Sequence, residues 1–403
     1  MSFVIVTSEP FPNGYAGTSR IRCHCWGLSR CGVAVHVLVV RPTEDRADVR
    51  NHAVEGSAAG ARFLYTAGTT VRSNRFRTRR FQDAAGRMAA AREIRRIHRS
   101  DPVEALLLYS NYPADICGFF AVARTLGILF LGEKSEYPLP RFQGTPRGQA
   151  VARLYSHAVY RLFDGMLVMT PALMEYLGPA LRKGAGMLHA PMTAETQRFN
   201  SSFPRPMEGR YVAYAGAPGG TKDGVPTLLE AFALLSKQHT DLKLCIVGDG
   251  PGPGVLDALS SLAARLGIAD RLVLAGRLDP DQVPPYLCNA EALCLARPDN
   301  RQAAGGFPTK LGEYLATGVP VVVTRVGSVP DYLEHGTSAF LSPPDDPAAF
   351  AAALDMALSD PASRARVGAA GRRLALEHFS PDALARRTLD FVRRLAAGHG
   401  GRT

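Results

Sequence analysis

Short runs of Val, Ile and Leu alternate along this chain with longer stretches in which apolar residues recur every three to four positions. Runs that continuous suit strands covered on both faces, and the intervening periods suit the helices that cover them. The pattern therefore predicts an α/β protein with parallel sheets built from βαβ units. Strands are expected at 3–7, 34–40, 105–109, 126–131 and 166–169 in the first half, and at 211–215, 243–247, 272–275, 292–295 and 320–324 in the second. The two halves open alike. FVIVTSEPFPNGYAGTSRI and YVAYAGAPGGTKDGVPTLLEAF each pass from a strand through a Gly/Pro-rich turn into a helix, which predicts two Rossmann-like domains in tandem. The polar stretch 199–206 has no apolar period and reads as the linker, dividing residues 1–203 from 204–380. Beyond it, Ser380-Pro381-Asp382 is a helix start, and Leu384, Thr388, Leu389, Val392 and Leu395 share one stripe. A final helix over 381–397 follows, which periodicity alone assigns to neither domain and which is grouped with the first.

Composition supports a globular, two-core chain: 403 residues, 46% hydrophobic, with 39 glycines and 29 prolines spread throughout. No run approaches the roughly 20 uncharged apolar residues of a bilayer span, since the best, 118–132, is broken by Arg124. The first residues enter a strand without a basic leader, so cytoplasmic residence is expected. Seven cysteines without framework spacing fit a reducing compartment. Cys23-His24-Cys25 are helix neighbours that cannot jointly face one ion, so no metal site is expected there. The net charge of +11 is concentrated in 72–99, where Arg72, Arg75, Arg77, Arg79, Arg80, Arg87, Arg92, Arg95, Arg96 and Arg99 face only Asp83 and Glu93. Two readings stay open: a solvated helix face, or peripheral docking on anionic lipid with Phe76, Phe81, Met88 and Ile94 as apolar contacts. No helix-turn-helix, zinc or RNP-type signature points to nucleic acid.

The segment Gly305-Gly306-Phe307-Pro308-Thr309-Lys310-Leu311-Gly312-Glu313, continuing to Gly318-Val319-Pro320 and an apolar strand, carries the most chemistry. Adjacent glycines ahead of a helix allow close backbone approach, and the free amides and dipole of its first turn favour an anion such as a diphosphate. Pro308 suits the first turn, Gly318 the left-handed position past the helix end, and Lys310 adds a positive charge. Glu313 follows Thr309 by one turn on the same face, about 6 Å deeper, where a carboxylate can accept hydrogen bonds from a ribose. An ordinary tight strand–helix turn explains the same glycines. A second loop, Gly216-Ala217-Pro218-Gly219-Gly220-Thr221-Lys222, sets Lys222 at another helix mouth, and two such loops in one domain favour the anion reading.

These residues resemble the retaining GT-B glycosyltransferases known as glycosyltransferase group 1, or family four. GFPTKLGEYLATGVPVVVT is similar to the family's donor-binding helix and SVPDYLEHGTSAFLSPPDD to the loop after it. IVGDGPG, LVLAGRL and KDGVPTLLEAFA fit in the expected order, while SEPFPNGYAGTSRI and HVLVVRPTE resemble a branch that builds surface polysaccharides. The resemblance implies a GT-B fold, with two Rossmann-like domains facing across a cleft. It also implies a nucleotide-diphosphate sugar as donor, transfer of a hexose with retention, and no cofactor or metal. It assigns the ribose to Glu313, the second glutamate of a Glu-x7-Glu motif whose first position is Gly305 here. The usual phosphate-binding arginine falls on Ala217, leaving Lys222, Lys310 and backbone amides for the diphosphate. Donor binding is thus expected from Gly216, Gly219, Gly220, Lys222, Gly276, Arg277, Gly305, Gly306, Phe307, Pro308, Thr309, Lys310 and Glu313.

The acceptor, a saccharide or glycolipid, is expected at the carboxyl ends of the first domain's strands. Gly14, Gly17 and Arg20 lie after the first strand, and Glu133 and Glu136 orient the acceptor hydroxyl, with Glu136 counted beside Lys222 and Glu313 as catalytic. Two rivals remain open: a nucleotide-sugar epimerase or hydrolase on this fold, and a non-catalytic nucleotide-sugar-binding partner of an active transferase.

Overall fold

The computed structural model describes residues 2–137, 145–219, 222–250, 252, 254–300, 303 and 306–400. It contains two compact units, Met1–Thr193 with Ser380–Thr403, and Ala194–Phe379. In the first unit the order is β1 (Ser2–Thr7), α1 (Ala16–Arg30), β2 (Ala34–Val39), β3 (Glu55–Ala58), β4 (Ala61–Tyr65), α2 (Phe76–Ser100), β5 (Val103–Tyr109), α3 (Pro113–Leu126), β6 (Leu129–Lys134), α4 (Pro146–Leu154), β7 (Gly165–Val168), α5 (Pro171–Leu177) and β8 (Gly186–His189). The second unit holds β9 (Arg210–Ala215), α6 (Val225–Leu235), β10 (Leu242–Val247), α7 (Val255–Arg265), β11 (Leu272–Gly276), α8 (Val283–Cys288), β12 (Leu293–Leu295), α9 (Thr309–Thr317), β13 (Val321–Thr324), β14 (Phe340–Ser342), α10 (Pro347–Ser359) and α11 (Pro361–His378). The last helix, α12 (Pro381–Gly400), belongs to the first unit.

Each unit is a parallel sheet covered by helices. The first has strand order β3-β4-β2-β1-β5-β6-β7-β8, antiparallel only between β3 and β4, and the second β11-β10-β9-β12-β13-β14. All five strands expected in the second half are present within a residue or two, because each is a short, largely apolar run, half-buried in β11 and mostly buried in the other four. The strand expected at 126–131 starts later. Leu126 closes α3, Gly127 takes the left-handed cap (φ 67°), and the apolar run across this boundary hides it. The β3–β4 hairpin was not foreseen, since its strands are short and partly polar. Its turn places Ala59 and Gly60 at φ 53° and 75°, a two-residue loop lacking the Asn-Gly signature of that geometry.

The linker expected at 199–206 lies inside the second unit instead. Phe199 is buried, Arg372 of α11 donates to Asn200 Oδ1 at 2.9 Å, and Asn289 donates to the carbonyls of Phe203 and Pro285. The boundary therefore falls between Thr193 and Ala194. Helix α12 lays Leu384, Leu389, Phe391, Val392 and Leu395 into the core formed by Phe3, Ile5, Ile21, Leu28 and Leu131. Gly27 makes this approach feasible, as a Cβ there would sit 2.1 Å from the Pro381 carbonyl oxygen.

Candidate functional site

In the second sheet, strands run outward from β9 through β10 to β11 on one side and from β12 to β14 on the other, so the β9/β12 border is the switch point where such sheets take ligands. Gly216 follows β9 at φ 152°, and a Cβ on it would lie 1.9 Å from Lys310 Cε. The bare backbone lets Lys310 cross to Asp223, donating from Nζ to Oδ2 at 2.6 Å. Asp223 also accepts from the Tyr214 hydroxyl at 2.8 Å, and the buried Arg297 has Nε 4.0 Å from Oδ1. Burial opposes the Asp223 charge, but Lys310, Tyr214 and Arg297 together hold its pKa below the ordinary value. This corrects the expectation for Lys310: its charge is matched by a carboxylate. Asp223, Arg297 and Tyr214 went unnoticed in the sequence because only the fold brings them together, although Asp223 adjoins Lys222.

Helix α9 starts at Thr309, one residue later than expected, since Pro308 is its extended N-cap and not its first helical residue, and it ends on Gly318 at φ 79°. Its buried Tyr314 hydroxyl accepts from the Ala215 N–H at 2.7 Å and donates to the Ala215 carbonyl, fixing the helix on the end of β9. The first-turn amides therefore stand beside the β9–α6 loop. Lys222, exposed on that loop, receives a bond from Arg297 Nε to its carbonyl at 3.3 Å. Lys222, Lys310 and Arg297 against Asp223 leave the corner net positive. Gly219 is half-buried in the loop, Gly306 is buried ahead of α9 and Thr309 is half-buried at its start. Gly276 ends β11 at φ 65° and accepts the Gly248 N–H at 2.7 Å, with Arg277 exposed beside it. Gly220 and Gly305 lie outside the described residues.

Phe307 does not face this corner. It is buried edge-on against Tyr332, with Phe379 5.5 Å away, and serves packing. Glu313 is half-buried one turn into α9, with Arg198 Nη1 3.6 Å from Oε1. Burial raises its carboxyl above the ordinary value; Arg198 and Lys310 pull it down and Glu195 adds to the rise.

In the first unit the sheet turns back at β1/β5. Arg20 and Glu133, expected to face an acceptor, are both buried and bonded to each other at 2.8 Å. Arg20 also donates to Thr193 Oγ1 and to the Pro191 and Ala190 carbonyls, and His24 Nε2 lies 3.1 Å from the second Glu133 oxygen. Burial keeps His24 below its ordinary pKa. Burial also opposes the Glu133 charge, but Arg20 and His24 hold that carboxyl low. These residues form an internal clamp. Gly14 and Gly17 remain at the surface of the β1–α1 connection and Glu136 is exposed after β6. The sequence reading missed Glu9, a half-buried carboxylate at the end of β1 whose pKa burial raises and which no cation pairs with among the described residues. A Cβ on Gly17 would lie 3.0 Å from its carboxyl group. The available signal was an acid at a strand's carboxyl end, directly before Pro10.

On α2, Phe76, Phe81 and Met88 are exposed by 61, 72 and 58%, whereas Ile94 is wholly buried and drops out of the expected apolar contacts. Arg87 is committed to Asp115 at 2.5 Å and Arg96 to Glu93, and Arg92 and Arg99 are exposed. No helix among the described residues is long and apolar enough to cross a membrane, and no three His, Cys, Asp or Glu side chains among them converge as metal ligands.

Residues 209–360, spanning the glycine loops, Lys222 and Glu313, match the family model described as glycosyl transferases group 1. Over that segment, which is less than half of the chain, it is similar to the group 1 glycosyltransferases. Curated proteins similar to this chain include the GDP-mannose-dependent alpha-(1-6)-phosphatidylinositol monomannoside mannosyltransferase of Mycolicibacterium smegmatis, 32% identical over 39% of this chain and 41% of the relative. Another is the D-inositol 3-phosphate glycosyltransferase of Streptomyces avermitilis, 33% identical over 43% of this chain and 39% of that one. The matches thus span less than half the length of these relatives. Whole-chain likeness is to structures: sucrose-phosphate synthase from Thermosynechococcus elongatus (TM-score 0.73, 18% identity, 98% of this chain and 99% of that one) and Anabaena HepE in complex with UDP (TM-score 0.68, 13% identity, 98% and 100%). At these identities the likeness establishes the fold, which is GT-B.

Proposed function

We propose that this chain is a retaining glycosyltransferase that moves a hexose-type sugar from a nucleotide-diphosphate sugar to an acceptor hydroxyl in cell-surface polysaccharide or glycolipid synthesis, without a resident metal. The observation that carries the reading is the corner at β9/β12, where the first turn of α9, Lys222 and a glycine-lined loop meet with a net positive charge and Glu313 stands one turn deeper on the same helix. That spacing matches a diphosphate at the helix mouth and a ribose diol on the carboxylate. As the nucleotide diphosphate departs, Lys222 and the helix amides stabilise the developing charge, while the acceptor hydroxyl attacks the anomeric carbon on the same face. Lys310 contributes through its bond to Asp223, which fixes the loop. Relatives named as mannosyl- and glucosyltransferases support a hexose donor, and the neighbour in complex with UDP supports a nucleotide ligand on this fold. The acceptor reading rests on Gly14, Gly17 and Glu136 with the addition of Glu9, at the first sheet's switch point. The same reading makes the protein cytoplasmic and peripheral on anionic membrane through α2.

The test is a thermal-shift panel of UDP, GDP and ADP with magnesium and with chelator. A ligand at 100 times its Kd adds about 2.7 kcal/mol of stability. One nucleotide is expected to stabilise with chelator present, and Glu313→Ala and Lys222→Ala are each expected to weaken its binding at least tenfold. Parent-like binding by both variants rejects the site, and activity that chelator abolishes and divalent ions restore rejects metal independence.

A further inference from the structure

The segment from Thr196 to Phe199, one short turn after the chain enters the second unit, packs on both α9 and α8. From it Arg198 reaches two targets: Nη1 lies 3.6 Å from Glu313 Oε1, and Nη2 donates to the carbonyl of Pro280, in the connection after β11. Its guanidinium also lies over the ring of Phe199, which is itself buried. A planar fork held by a backbone carbonyl on one side and an aromatic ring below has few rotamers left, so the charge it presents to Glu313 is fixed in place.

We propose that Arg198 is a positioning residue for Glu313, anchored on the Pro280 carbonyl so that the Glu313 carboxylate stays ionised and oriented to accept the hydroxyls of the bound nucleotide's ribose. This rests on the nucleotide-site reading above and goes beyond it by assigning the group that keeps the glutamate competent. The need is visible in the surroundings. Glu195 adds a second carboxylate near Glu313, and Lys310, the other cation acting on it, is bonded to Asp223. Of the elements packed around α9, α8 brings Tyr286 and Cys288, and α11 brings Arg372, which is engaged with Asn200. Arg198 is thus the cation with Glu313 as its direct ion-pair partner. Burial raises Glu313 toward protonation, and a protonated carboxyl accepts fewer ribose hydrogen bonds, so affinity falls as pH falls through its raised pKa.

The experiment measures UDP and GDP affinity by calorimetry from pH 5 to 9 for the full chain and for Arg198→Ala, Arg198→Lys, Glu313→Gln and Glu313→Ala. Titration of the nucleotide phosphates is common to all five proteins and cancels in the comparison. Arg198→Ala is expected to move the acid limb of the binding profile upward by about one pH unit, the low end for loss of an opposite charge at this distance in a half-exposed site. Parent affinity should return at high pH, Arg198→Lys should restore most of the shift, and Glu313→Gln should flatten the limb. An Arg198→Ala profile that superimposes on the parent, or that is weaker by the same factor at every pH, overturns the proposal. Parent-like affinity in Glu313→Ala instead overturns the nucleotide-site reading itself, so the two failures are distinguishable.

Discussion

A buried charge is tolerated only when its partners are in place, and both units use this rule to lock a corner of the sheet. The Arg20–Glu133 pair is almost completely removed from solvent, with side-chain exposures of 3 and 0%. Replacing Glu133 with Gln leaves the guanidinium buried without a counter-charge, and a loss of about 3 kcal/mol is expected from urea denaturation at pH 7. A loss below about 1 kcal/mol would show that water reaches the pair. The pH sign follows from the depressed Glu133 pKa: its stabilisation is complete above the unfolded value of about 4.3 and is lost as pH falls through the folded value, so the Gln variant should lack that part of the acid sensitivity. At this scale the sequence singled out the right residue types. Arg20 and Glu133 were legible as functional candidates by position, but 113 residues separate them, and nothing local indicates that they neutralise each other.

At the scale of elements, α9 and α2 show opposite uses of a helix. In α9 the polar end is kept near the loops by its buried face, through Tyr314 on β9, so its first turn is available to an anion. In α2 the polar face is the long exposed side, with Phe81 in the first half, Met88 at the middle, and Arg92 and Arg99 in the second half. That arrangement predicts salt-sensitive binding to anionic surfaces. Vesicle flotation with phosphatidylglycerol at low ionic strength should carry the protein, high salt or pure phosphatidylcholine should release it, and Phe81→Glu should weaken the bound fraction several-fold. Equal flotation on neutral and anionic vesicles would remove the electrostatic argument and leave α2 a solvated face. Periodicity revealed both helices, but it misassigned Ile94, because 25 residues of helix rotate enough that one apolar side chain in the basic segment turns inward.

For the whole molecule, the return of the chain after Phe379 matters as much as either sheet. Helix α12 contributes five large apolar side chains to the first unit's core, and at about 1.5–3 kcal/mol each their removal is comparable to the whole net stability of a domain. A chain ending at Phe379 should therefore show rapid proteolysis of residues 2–193, while the segment 194–379 stays protected and still binds nucleotide. Equal protection of both units would mean that the first core closes without α12. Local pattern determined the α/β class and ten of the strands to within a few residues, and it marked the two glycine loops and Glu313 as candidates, because each of these is encoded over a few consecutive residues by burial period, turn chemistry or motif. Tertiary structure alone decided where the last helix packs, that 199–206 joins the second unit, that Lys310 belongs to Asp223, and that Arg198 meets Glu313. These are contacts between segments far apart in the chain, and the physics that selects them, desolvation balanced by a partner's charge or by shape, acts only once the backbone has brought them together.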